Sequence, residues 1–153
     1  MANTSAQHIA EQWVVSEFLS SHFSGVKFVG RKLSLKWGGL FAFDAVSEDG
    51  KIVGLVSTSA ARTAGGKAAI AKFQKLKADA LYLLHAVGAE RLIMIFTEES
   101  MLKHFEREKK SGRFPPEIEF VHAPLPEHIH SQVLAARHLA SAETSPRSAA
   151  HGL

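Results

Sequence analysis

The run Ile52-Val53-Gly54-Leu55-Val56 is apolar at every position, and it begins two residues after the turn signal Asp49-Gly50. A strand that is apolar on both faces needs cover above and below, so it belongs inside a sheet flanked by helices. Residues 40–47 read as the strand entering the turn, with Asp44 inside it, and residues 51–58 as the strand leaving it. Upstream, Leu33, Leu35 and Trp37 alternate with Ser34 and Lys36, as a half-buried strand does, before Gly38-Gly39 breaks the run. Residues 26–29 read as a further short extended segment.

Helical spacing governs the stretches around this hairpin. Residues 8–23 repeat apolar positions at Ile9, Trp13, Val14, Phe18 and Leu19, with Glu11, Gln12, Ser16 and Glu17 on the polar side. Residues 63–87 predict the longest helix, with Ile70, Phe73, Leu76, Leu81, Leu84 and Val87 as its buried stripe. Lys72, Lys75, Asp79 and Tyr82 share another face of it, and Gly88 suits its C-terminal end. A strand over 91–97, a charged helix over 98–110, a strand over 117–122 and a helix over 127–140 complete the pattern. The expected fold is α/β, a mixed central sheet with flanking helices arranged as a three-layer sandwich. One domain over residues 8–140 accounts for these elements, and the Ser/Ala/Pro-rich tail 141–153 is expected to be disordered.

Composition removes several functions. With no cysteine, the chain can form neither a thiolate metal site nor a Cys nucleophile. No run of 18 apolar residues and no apolar signal core occur, so a cytoplasmic protein without a membrane segment is expected. Nine histidines raise the question of a metal, but His128 and His130 stand two apart on a helix, about 200° from each other. With His122 they form the only histidine grouping worth testing; the others read as surface histidines. No Gly-x-Ser-x-Gly elbow supports a hydrolase triad.

Helix, strand meander with Asp44 before a turn, long helix, strand: this order resembles the core of the restriction-endonuclease-like, PD-(D/E)XK nuclease superfamily. The resemblance covers roughly residues 8–125 and rests on Phe43-Asp44-Ala45-Val46, Asp49-Gly50 and residues 52–59. It implies a nuclease-like sandwich, Mg²⁺ or Mn²⁺ as cofactor if the site is active, and Asp44 as the metal ligand. Active members carry an acidic residue, a spacer and a lysine on the next strand; here Leu55, Val56 and Ser57 stand at those places. Leucine can neither ligate a hard cation nor polarise water. The resemblance therefore implies a degenerate site, unless a carboxylate has migrated to Glu17 and a lysine to Lys67 or Lys72.

The cations cluster beside this hairpin. Residues 24–43 hold Lys27, Arg31, Lys32 and Lys36 with no acid, and residues 62–77 hold Arg62, Lys67, Lys72, Lys75 and Lys77 with no acid. If the two runs share a face, they form a phosphate-binding patch for DNA or RNA, with Arg31, Lys32, Lys36, Arg62, Lys67, Lys72 and Lys75 as contacts. Otherwise they are solvated surface, and the chain is a protein-interaction or structural domain, for which a homodimer is one form. Thr63-Ala64-Gly65-Gly66-Lys67 at a helix start would add an anion site, although its glycine spacing is not that of a P-loop. Trp13, Trp37 and the ten phenylalanines read as core; Trp37, beside two glycines, is the one a strand end would expose.

Overall fold

The computed structural model describes residues 5–143. Helix α1 (Ser5–Trp13) runs through a π-helical turn (Val14–Phe18) into α2 (Leu19–His22). There follow β1 (Phe28–Ser34), β2 (Leu40–Ser47), β3 (Ile52–Ser57), α3 (Ile70–Leu84), β4 (Arg91–Phe96), α4 (Glu99–Lys110), β5 (Ile118–His122) and α5 (Glu127–Glu143). The five strands form one mixed sheet in sequence order, antiparallel from β1 to β3 and parallel from β3 to β5. The α/β class follows, and β3 lies in the middle of the sheet as its two apolar faces require. Among the described residues, no helix is long and apolar enough to cross a membrane.

Each face of the sheet has its own cover. On one, Val53, Leu55, Met94, Phe96 and Ile118 pack with Leu76 and Leu83 of α3 and with Met101 and Phe105 of α4. On the other, Ala45, Ile93, Ile95 and Val121 pack with Val14 and Leu19. The π-helical turn lets Val14 and Leu19, five residues apart, both bury against the sheet. Helix α5 lies against α1, joining Ile129, Val133 and Ala136 to Ala6 and Ala10. It is tied to the ends of the parallel strands by Arg137, which donates to Thr58 O and to Glu98 (3.1 Å), and by His130, 3.0 Å from the same carboxylate. His130 is thus occupied with Glu98, and no group of three or more metal-ligating side chains occurs among the described residues.

Several boundaries differ from the sequence expectation. The two extended segments at 26–29 and 33–37 form one strand, β1, which ends before Trp37. Helix α3 starts at Ile70 rather than near residue 63. Residues 62–68 instead close a tight turn: Thr63 N–H donates to Lys67 O at 2.7 Å, Arg62 bridges Ala68, and Gly66 takes φ +84°. Thr63–Lys67 therefore precedes the helix N-terminus instead of forming it, as both a capped helix and an anion site there would require. Helix α5 continues to Glu143, and the rest of the expected tail lies outside the described residues. The Asp49-Gly50 turn forms as expected, with Gly50 at φ +75° and Asp49 Oδ1 accepting from Lys51 N (3.0 Å) and Ser47 Oγ (2.7 Å).

Helix α4 carries its own electrostatic clamp. Glu108 accepts from Arg113 Nη2 at 2.9 Å and lies 3.0 Å from Lys77 Nζ on α3, and these partners lower its pKa to about 2. A carboxylate with a depressed folded-state pKa stabilises the fold above its ordinary pKa, and that contribution is lost as pH falls towards the folded value. Glu108→Gln is expected to lower the urea midpoint at pH 7 and to change it little near pH 2. An equal loss at both pH values would show that the charge is not what acts.

Candidate functional site

Strand β2 carries one residue more than β1 between the pairs Val29↔Val46 and Arg31↔Phe43. This bulge puts Phe43 and Val46, three residues apart, on the same face of the sheet, with Ala45 on the other. Gly30 sits opposite, where a Cβ would stand 3.4 Å from Asp44 O. Beyond Ala45↔Gly54 the ladder between β2 and β3 stops, and Asp44 Oδ2 accepts the Val56 N–H at 2.8 Å in its place. Asp44 is thereby fixed at the point where the two central strands part. Bulges of this kind re-aim a side chain beside a site.

A cleft of about 760 Å³ opens between α1 and the β1–β2 ribbon. His8, Glu11, Gln12, Val15 and Ser16 line one wall, in helical spacing; Arg31, Lys32, Ala42 and Asp44 line the other. A smaller cavity of about 110 Å³ adjoins it, lined by Glu11, Ser57, Thr58, Ser59, Lys72 and Lys75. Glu11 lines both, so the cleft by the ribbon and the cavity at the end of β3 beside α3 share a wall; together they are called the groove.

Both carboxyls in the groove have raised pKa values. Burial is the main cause for Glu11, followed by the negative charge of Asp44. Burial is also the main cause for Asp44; the Val56 N–H and Lys75 oppose it, and Asp79 adds to it. Lys75 acts on both carboxyls and bonds Asp79 at 2.9 Å. Glu11, Asp44, Asp79 and Lys75 thus form one coupled charge cluster. Ionising a carboxyl whose folded-state pKa is raised works against folding at neutral pH, and that penalty vanishes once pH falls below the ordinary carboxylate range. Glu11→Gln is therefore expected to raise the melting temperature at pH 7.5, with the gain disappearing near pH 3. A variant no more stable than the parent at pH 7.5 would contradict the coupling.

The residues singled out from sequence separate into three groups. Asp44, Arg31, Lys32, Lys72 and Lys75 line the groove. Lys36 sits at the tip of the β1–β2 hairpin, with its N–H on His85 O at 2.8 Å. Glu17, Arg62 and Lys67 are not brought to the groove. Glu17 is exposed on the π-helical turn; Arg62 donates to Gly66 O at 2.8 Å and Lys67 lies in the same exposed turn. Glu11 and Lys75 occupy the places by Asp44 that Glu17 and Lys67 were expected to take. Leu55, where the nuclease pattern would have an acid, is buried in the core, and Ser57 is buried at the strand end. Comparison with family models, curated proteins and solved structures returns no match. What the chain itself defines is an α/β protein with a basic-walled groove around two half-buried carboxylates.

Proposed function

We propose that this chain is a nucleic-acid-binding domain of restriction-endonuclease-like architecture, which holds a phosphate backbone along the groove between α1, the β1–β2 ribbon and α3. The observation that carries this reading is the placement of Arg31 and Lys32 on one stretch of the groove and Lys72 and Lys75 on the next. These residues come from the two acid-free runs, and the fold brings them to two neighbouring concavities that share Glu11. Cations so placed hold phosphates by charge, with little dependence on base sequence. The order helix, antiparallel meander, long helix, parallel strand is consistent with the nuclease-like core, and the loss of acid and lysine at Leu55 and Ser57 favours binding over cleavage.

One observation favours a second reading, metal-dependent cleavage through migrated residues. Glu11 and Asp44 meet in the groove, with Lys75 acting on both. Two carboxylates are the donor type that Mg²⁺ and Mn²⁺ take, the remaining positions going to water and substrate phosphate. When bound, such an ion supplies Lewis acidity and activated water. Of the chain's own groups, the Val56 N–H orients Asp44, and Lys75 offsets charge on the phosphate.

Labelled duplex and single strands of DNA and RNA, titrated with the protein in Mn²⁺ and then run on a denaturing gel, separate the two readings. Saturable binding with intact strands is the expected result. Cut strands that disappear in Asp44→Ala would establish cleavage instead. Absence of both binding and cutting would overturn both readings and leave a protein-interaction domain.

A further inference from the structure

The groove does not end at Asp44. Past Lys32 and Ala42 the β1–β2 ribbon runs on, with α3 packed on the face that carries Leu33, Leu35 and Phe41 and the opposite face exposed. Lys32 pairs with Ala42 and Ser34 with Leu40, and all four side chains are exposed. This strip ends at a tight tip, where Leu35 N–H donates to Gly39 O and Gly38 N–H to Leu35 O, both at 2.8 Å. Gly38 takes φ +103°, which a residue with a side chain adopts only under strain. Trp37 sits on that tip and is 59% exposed, against the expectation that it is core. A tryptophan this open leaves ring surface accessible to a ligand.

The ring is held in place. It stacks on His85, with centroids 4.0 Å apart and planes 27° apart. His85 itself is pinned by Nδ1 to Leu81 O at 2.9 Å. The tip is anchored to the end of α3 by Lys36 N–H on His85 O (2.8 Å) and Val87 N–H on Ser34 O (2.9 Å). The stretch 24–43 that forms this ribbon carries Lys27, Arg31, Lys32 and Lys36 and no acidic residue. Trp37 lies five residues from Lys32 in the chain, three past the end of β1.

We infer that Trp37 is a preformed stacking platform for an unpaired base, and that the ligand of the groove is a single-stranded nucleic acid. This rests on the nucleic-acid-binding reading and narrows its substrate class. The charge of the ribbon complements a phosphate chain leaving the groove towards the tip, and the Trp37 face offers the π-surface on which a base stacks. Bases of a duplex are already stacked on each other and cannot use it. His85 fixes the ring in advance, so little side-chain freedom is lost on binding.

The test compares Trp37→Ala and Trp37→Phe with the parent chain, binding a mixed-sequence single-stranded DNA and the corresponding duplex at one salt concentration. Circular dichroism confirms that each variant is folded. Trp37→Ala is expected to weaken single-strand binding about 5- to 100-fold, to leave duplex binding within about twofold, and to be largely restored in Trp37→Phe. Equal loss on both ligands, or no loss on the single strand, would overturn the platform while leaving groove binding intact. Failure of the parent chain to bind either ligand would overturn the reading on which the platform rests.

Discussion

Gly54→Val is expected to cost the fold about 3 kcal/mol or more, read as a lower denaturant midpoint. A Cβ at this position would stand 2.5 Å from Ile93 Cγ1, 3.0 Å from Ile95 Cδ1 and 3.1 Å from Ile93 Cδ1. Both isoleucines are fully buried on the neighbouring strand β4, and Gly54 pairs directly with Ile93. Their branched side chains have few rotamers to move into, and a close-packed interior leaves no room beside them. The effect reaches the groove, because Val56, two residues on, holds Asp44 through its N–H. Gly54→Ala should show the same effect at smaller size. A loss below about 1 kcal/mol for Gly54→Val would mean that β3 and β4 part easily, contrary to a rigid scaffold under Asp44.

The second large effect is on binding. Lys32→Glu combined with Lys72→Glu is expected to weaken single-strand binding about a hundredfold at low salt and to reduce the salt exponent by about 1 to 2. Both side chains are exposed, and they line separate stretches of the groove, so the fold should persist. Lys75 is a poorer choice for this experiment. It pairs with Asp79, which is buried, and reversing its charge would leave that carboxylate facing another. Unchanged affinity in the double variant would remove the groove from the interface.

The sheet was legible because strand periodicity is short and β3 has no polar face. Residues 40–47 emerged with the bounds expected, and the parallel strands within one residue. The start of α3 was not legible. Lys67, Ala68 and Ala69 are good helix formers, yet Ala69 N–H is committed to Ala61 O and Lys67 O to Thr63 N–H. Tertiary pairing of the turn decides the boundary there. Asp44 was found from its place in a strand before a turn. Glu11 was missed because α1 buries Ala6 and Ala10 and leaves Ile9 exposed, which turns Glu11 rather than Glu17 towards the ribbon. Spacing alone would have supported this: Glu11 lies three from His8 and four from Val15, the stripe that lines the groove. Trp37 shows the same limit, since alternation extended β1 to a residue that the Gly38 turn places outside it.

The most direct test is the affinity of the unaltered chain for single-stranded DNA measured across a range of salt concentrations. Four groove cations, Arg31, Lys32, Lys72 and Lys75, predict that log K falls linearly with log salt at a slope of about −3. A slope near zero, or no measurable binding at low salt, would contradict the claim that this groove holds a phosphate backbone.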